Sequence, residues 1–567
     1  MNDIREKGGI PMAGNGAMQA RVLRLDAKDN VLVALTDLRK SEVVSYSGDS
    51  WTLLSDVPAK HKFLTQDVSA GGDIVMYGVL VGKAVENLRR GDLASTRNIR
   101  HAASSFHEAE AAGPRWTAPD VSTWSKRTFL GYHRDDGQVG SRNYWLVLPL
   151  VFCENRNLAV LKQAFEEELG FAAPQIYRSQ VAELARLYRE GKSEELKKFA
   201  FGDVQRASAA PRVFRNIDGI KFLLHEAGCG CTHEDARNLC GLLAGYIHHP
   251  NVAGATVLSL GCQHAQVPML LEEIKRRDPN FKKTVLIYEQ QKSSSEAAML
   301  SKAIRETFLG MVEADKITRQ PAPLSKLTLG LQCGGSDGFS GLSANPAIGH
   351  TADIIAALGG IGILSEFPEL CGVEQPLIDR CVSKEVADRF AHLMRDYAAR
   401  AKAVRAGFEM NPSPGNIRDG LLTDAMKSAG AAKKGGTSPV TAAVDYPEYC
   451  TQPGLNLQCT PGSDVESVSA QVGAGANVIL FTTGLGTPTG NPIAPVVKIS
   501  TNSNLAQRMS DIIDIDTGGI ITGESNIEQM GETILERVIQ VVSGEARTKA
   551  ELLGQDDFIP WKRGVSL

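Results

Sequence analysis

Long apolar runs, blocks of like charge and a leader-like N-terminus are all missing from this 567-residue sequence. The longest apolar stretch, YWLVLPLVFC at 144–153, is too short for the roughly 20 residues that a membrane-spanning helix needs. Lys plus Arg number 61 against 65 Asp plus Glu, a net charge of -4 with no basic run. That leaves no electrostatic footprint for nucleic acid or an anionic membrane. Residues 1–18 carry no apolar core of the kind a signal peptide requires. They read as a flexible tail on a cytoplasmic chain. In a reducing compartment the ten cysteines suggest burial, metal binding or catalysis before disulfides.

Nucleotide signatures are missing as well. Gly191-Lys192-Ser193 has Arg186 where a phosphate-binding loop needs glycine. GLGTPTG at 484–490 follows a strand-like run, but Pro488 and Pro492 exclude the immediate helix of a dinucleotide site.

What is present is a change of texture. Residues 19–101 contain short strand-like runs, NVLVAL at 30–35 and DIVMYGVLVG at 73–82, separated by turn signals, and read as a small β-rich barrel or clip. Residues 102–128 have no sustained periodicity and read as a linker. From 129 onward, apolar runs of strand length alternate with segments of helical period, at 143–152, 220–225, 253–260, 283–290, 327–332 and 361–367. Such βα repetition predicts an α/β fold with largely parallel sheets, divided into domains at 129–322 and 323–567.

Cys153, Cys229, Cys262 and Cys333 each follow one of these runs, and Glu366 sits near the end of another. Ligands of open parallel sheets bind outside the carboxyl ends of the strands. The five side chains are therefore expected to converge on one pocket, against the alternative that each cysteine is an ordinary buried thiol. The other six cysteines share no such position and read as structural. Four glycine-rich polar loops, GGSDGFSG at 334–341, SPGN at 413–416, TPGSD at 460–464 and TTGLGTPTG at 482–490, suit a carboxylate or polyol.

GYHRDDGQVGSRN (131–143), SLGCQHAQ (259–266), LQCGGSDGFSGLSANPAIG (331–349), NPSPGN (411–416), TPGSD (460–464) and FTTGLGTP (481–488) resemble segments of the altronate dehydratase and galactarate dehydratase family. Their order and spacing match over nearly the whole chain. The resemblance implies an N-terminal β-clip domain of the SAF type, a two-part α/β catalytic region, and loss of water from a sugar acid to give a 2-keto-3-deoxy acid. It also implies a divalent metal, iron(II) with manganese or magnesium as alternatives, and a homo-oligomer such as a dimer. Four cysteine thiolates at Cys153, Cys229, Cys262 and Cys333 are compatible instead with an iron–sulfur cluster.

By the same resemblance His61 and Lys62 stand where the family has a His-Lys pair, and with His225 and Glu366 they are candidates for acid–base work. Arg142, Asn143, Gly334, Gly335, Ser336, Asp337, Asn345, Asn416, Arg418, Thr483, Gly486 and Thr487 are candidates for substrate contact, and Asp26, Asp29 and Asn30 for metal. Three departures stand out: Asp26 replaces a common histidine, Leu485 replaces an arginine, and Ile417-Arg418 replaces a pair that begins with lysine. Loss of an arginine removes a bidentate carboxylate anchor, which Arg418 could restore. Two other functions fit the same motifs, a sulfolactate-type sulfo-lyase and a sugar-acid-binding sensor without activity.

Overall fold

The computed structural model describes residues 20–107, 116–172, 176–199 and 211–566, so the expected tail at 1–18 lies outside the described residues. The first unit is all β. Val22–Leu23, Val31–Ala34 and Lys62–Leu64 form one antiparallel sheet, Val43–Tyr46 and Asp49–Thr52 a hairpin, and Asp73–Met76, Val79–Ala84 and Ile99–Arg100 a third sheet. The apolar run at 73–82 is thus two strands. Tyr77 and Gly78, with φ of 58° and 75°, turn the chain between them. This small domain does not stand alone. Its core, around Val33, Leu64 and Val81, continues into Phe339, Leu342, Leu422 and Met426 far along the chain. Residues 102–107 and 116–127 form no strand or helix but run over the later domain, with Trp116 Nε1 donating to Thr437 Oγ1 at 3.1 Å.

Next comes a four-stranded parallel sheet in the order Gly219–Phe222, Tyr144–Pro149, Val252–Ser259, Thr284–Glu289. A larger parallel sheet of seven strands follows, in the order Val440–Val444, Gly454–Gln458, Ile361–Leu364, Thr328–Cys333, Val478–Thr483, Val496–Ser500, Ile515–Asp516. Helices cover these sheets, so the central strands are buried along their whole length, as Tyr144–Pro149 and Val478–Thr483 are. That is why they read as continuous apolar runs and not as alternating ones. A small antiparallel sheet joins the two halves, with Gln320–Pro323 pairing Thr128–His133.

The halves are also pinned by charge at the amino ends of the strands. Arg142 grips Glu551 through Nε and Nη2 at 2.8 and 3.0 Å, and its Nη1 donates to the carbonyls of Ser141 and Val541. Both side chains are buried, at 4% and 10% exposure. Removing one partner of such a pair leaves an uncompensated buried charge, which costs about 3–5 kcal/mol. Arg142→Ala is therefore expected to lower the midpoint of urea denaturation markedly, whereas Arg142→Met combined with Glu551→Leu recovers most of the loss.

Candidate active site

In the seven-stranded sheet the connection after Thr328–Cys333 leaves toward Ile361–Leu364, and the connection after Val478–Thr483 leaves toward Val496–Ser500 on the other side. The two strands are neighbours. Their carboxyl ends therefore bound a topological switch point, where the diverging loops open a crevice. All four polar loops meet there. Gly484 N donates to Gly335 O at 3.0 Å, and Asn416 Nδ2 to Ser336 O at 2.7 Å. Gly334 lies so close to Asp464 that a Cβ would stand 2.4 Å from its Oδ2, and at Gly335 a Cβ would stand 2.8 Å from Thr487 Oγ1. Bare backbone at 334 and 335 is what allows this approach. Thr483 Oγ1 accepts from Gly486 N and Thr487 N, which closes its loop. The buried Ser336 Oγ has no partner among the described residues.

Below this loop layer lies a dry set of ionisable groups. Lys434 Nζ sits 2.8 Å from Cys333 Sγ and 2.5 Å from Glu366 Oε2, and Lys427 Nζ sits 2.7 Å from Glu369 Oε1. Cys333 Sγ lies 3.4 Å from Glu369 Oε2. Burial opposes the charge on Lys434, but the Cys333 thiol and the two glutamates outweigh it and hold the ammonium. Burial raises Glu366 and the Cys333 thiol, whereas Lys427 and Lys434 overcome burial at Glu369 and keep it ionised. Glu366 reaches this position from a left-handed backbone, φ 64°, which turns it in from the strand end.

Gln332 links the set to the crevice. Its Oε1 is held by Ser467 and Gln471, and its Nε2 donates to Glu366 at 2.6 Å and to Asp464 at 3.3 Å. Asp464 is half-buried at the start of the helix Asp464–Gly473, and burial raises it to about 6.

The small domain closes the other side. Lys60 Nζ bonds Asp337 and Asp419 at 3.0 Å each, and these partners overcome burial to keep it charged. The four-residue loop 334–337 therefore has Asp464 at one end and Lys60 at the other. Lys62 is fully buried and donates to the carbonyls of Lys60 and Gly420 at 2.9 and 2.7 Å. Burial lowers it to about 7. Lys62 thus fastens the start of the strand Lys62–Leu64 to the 416–420 loop, and the lysine that faces the crevice is Lys60. His61 is half-buried beside it, lowered by burial and so uncharged at neutral pH.

Several expected site residues are placed elsewhere. Arg142 and Asn143 lie at the amino end of their strand, Asn143 bonded to Asn216 and Ala314 carbonyls. His225 is buried, with Nε2 2.9 Å from Pro149 O and Nδ1 accepting from Ala227 N, and burial lowers it to about 4. It braces a loop. Asn345 spends both ends of its amide on Gly430 O and Thr482 Oγ1. Asn416 caps its own short helix while tethering Ser336. Asn30 bonds Asp73 O and Val75 N, Asp29 accepts from Gly78 N and Asp26 N, and Asp26 accepts from Lys28 N, so these three shape the turn of the small domain. Arg418 is exposed and, like Leu485, flanks Gly415. The four cysteines do not share one pocket. Cys333 belongs to the seven-stranded sheet, while Cys153, Cys229 and Cys262 follow strands of the four-stranded one.

The residues that sequence reasoning missed are Asp464, Gln332, Glu369, Lys427, Lys434, Lys60 and Asp419, although the TPGSD loop that carries Asp464 was marked as polar. Lys433-Lys434 resembles any solvated loop, and no local signal marks one of the pair as buried. A crevice of about 850 Å³ lined by Asp136, His248, Thr328 and Gly475 opens at the opposite, amino end of the seven-stranded sheet, away from these groups.

Three domain models match the chain in order. These are the altronate/galactarate dehydratase SAF domain over residues 20–102, the D-galactarate dehydratase/altronate hydrolase second domain over 131–315, and the D-galactarate/altronate dehydratase C-terminal domain over 324–566. Whole-chain likeness agrees. The chain is 31% identical over 545 residues to altronate dehydratase of Escherichia coli (strain K12), covering 96% of this chain and 99% of that one. Against galactarate dehydratase (L-threo-forming) of the same organism, identity is 27% over 536 residues, 94% of each chain. The beta subunit of (2R)-sulfolactate sulfo-lyase from Chromohalobacter salexigens is 28% identical over 436 residues, 76% of this chain and 97% of that one. The chain belongs to the altronate/galactarate dehydratase family.

The buried ion set makes a direct stability prediction. Lys434→Met strands Glu366 in a dry site and should cost about 3–5 kcal/mol in chemical denaturation, whereas adding Glu366→Gln should return a large part of it. Additive losses in the double variant would contradict this ion pairing.

Proposed function

We propose that this chain dehydrates an aldonic or aldaric sugar acid to a 2-keto-3-deoxy acid and water. The observation that carries the reading is the meeting of four polar loops over Asp464 at the switch point, with Lys60 at the far end of the 334–337 loop. Asp464, raised by burial to about 6, is a carboxylate at neutral pH yet basic enough to accept a proton, which suits a general base. It takes the proton beside the substrate carboxylate. Negative charge then develops on that carboxylate as an enediolate, and the Lys60 ammonium stabilises it electrostatically. Hydroxide leaves the adjacent carbon and takes up the proton that Asp464 acquired, so the balance closes as one water. The enol product becomes the keto acid in a final tautomerisation. Gln332, Glu366 and Lys434 are positioning residues that hold Asp464 in register. Ser336 Oγ offers an unpaired hydroxyl to the substrate, and Arg418 beside Leu485 supplies the cation that the GLGTP loop lacks.

A single divalent ion at Cys333, Glu366 and Glu369 does not fit this chemistry. Their ligand atoms lie within 4.8 Å of one another, but the lysines Lys427 and Lys434 already neutralise both carboxylates and Cys333 is held as a thiol. The donor set that does suit iron is the thiol trio on the other sheet. No described helix is long and apolar enough to cross a membrane, and all ten cysteines are free; a reducing cytoplasm suits both. A sulfo-lyase activity is the rival reading. Here the small domain that supplies Lys60 is fused to the chain, whereas the sulfo-lyase relative is a subunit that matches 76% of it.

An anaerobic assay against altronate, galactarate, other aldonic and aldaric acids and sulfolactate tests the proposal. Keto-acid from a sugar acid is expected, and sulfite as the product would overturn it. Asp464→Asn should lower kcat by about 10²–10⁴-fold. In the parent enzyme kcat/KM should fall as pH drops below about 6, because a protonated Asp464 cannot take the substrate proton. Arg418→Ala is expected to raise KM more than it lowers kcat, since the guanidinium binds the acid group before and during the reaction alike.

A further inference from the structure

The four-stranded sheet has a switch point of its own. Tyr144–Pro149 and Val252–Ser259 are neighbours, the first connecting outward to Gly219–Phe222 and the second outward to Thr284–Glu289 on the other side. Cys153 and Cys262 follow the two central strands, and Cys229 follows the strand beside them. The three loops that carry these thiols are bonded directly to one another. Phe152 N donates to Ala227 O at 3.1 Å, and His264 N and Ala265 N donate to Gly228 O at 3.1 and 3.2 Å. His264 Nδ1 lies 2.6 Å from Cys229 O. Gly228 has φ 96°, and a Cβ there would stand 2.0 Å from Leu150 O, so the close seating of this loop on the next requires glycine.

These bonds hold the three cysteines side by side at the carboxyl end of the sheet. Cys153 and Cys262 are exposed, Cys229 is half-buried, and none is in a disulfide. The Cys153 sulfur has those of Cys229 and Cys262 as its sulfur neighbours. Among the described residues, the groups whose ligand atoms all lie within 4.8 Å, as ligands of one ion do, are Asp136–His248–Asp278 and Cys333–Glu366–Glu369. The thiol trio is wider. Metal–sulfur bonds of about 2.3 Å to one tetrahedral ion would bring its sulfurs within about 4 Å of each other. A cluster instead binds each thiolate to a different iron, and so accepts a wider triangle.

We infer that Cys153, Cys229 and Cys262 ligate an iron–sulfur cluster of four irons and four sulfides, one iron of which has no cysteine ligand. Cys333 is not the fourth ligand, because it lies on the other sheet against Lys434 and Glu369. Cys231 is buried, in a backbone bridge with Ser566. Assembly from two ferrous and two ferric ions with four sulfides needs no external electron, and binding releases the three thiol protons. The uncapped iron is a Lewis acid able to accept a hydroxyl or carboxylate oxygen. The inference stands on the thiol geometry and not on the proposed reaction, so each can fail without the other.

The test is anaerobic reconstitution of the full chain with mixed ferrous and ferric iron and sulfide. Iron and acid-labile sulfide are then measured, with the visible absorption band and the electron paramagnetic resonance signal after reduction. Equal iron and sulfide, approaching about four of each per chain, is expected. Cys153→Ala, Cys229→Ala and Cys262→Ala should each lose the band several-fold, while Cys333→Ala and Cys240→Ala retain it. Circular dichroism checks that each variant is folded, and the exposed Cys153 and Cys262 positions decide the matter if Cys229→Ala is not. Iron without sulfide, zinc alone, or a cluster that survives loss of any two of the three thiols would overturn the assignment.

Discussion

The buried ammonium of Lys434 is the contact on which the candidate active site depends. It lies between the Cys333 sulfur and the Glu366 carboxylate and so ties the carboxyl ends of two adjacent strands to the 432–435 turn. A lysine in a dry interior is costly unless anions surround it, and here the anions are equally costly without the lysine. Each group makes the others tolerable. Their joint position fixes Gln332, and through Gln332 it fixes Asp464 at the crevice.

A similar logic joins the small domain to the rest. Lys60 and Lys62 are two residues apart at the start of one strand, yet one is charged and faces carboxylates while the other is buried among carbonyls. Lys62 sets the depth at which this strand docks, and Lys60 then falls at the mouth of the crevice. The small domain's core runs into Phe339, Leu342 and Met426, so apolar burial supplies the adhesion and the lysines supply the register.

Both parallel sheets place chemistry at the point where their strand order reverses. One switch point collects carboxylates, lysines and hydroxyls; the other collects three thiols. The amino end of Tyr144–Pro149, by contrast, carries a structural bond, Arg142 with Glu551. Helices cover the faces, leaving the strand ends as the place where irregular, polar backbone can meet solvent.

The parallel strands were legible because doubly covered strands must be apolar throughout, and the runs at 143–152 and 327–332 are. The four glycine-rich loops were legible too, since bare backbone and small hydroxyls have few other uses in such density. By itself the sequence determined the α/β class, the approximate elements and the motifs that mark the family. Which cysteines lie side by side, which lysine of a pair is buried, and which motif residues are spent on backbone carbonyls were decided only by the tertiary structure. The reason is physical: a strand-end residue announces its type locally, but its charge state and partners depend on which strand the sheet order sets beside it, and that order is a long-range property of the chain.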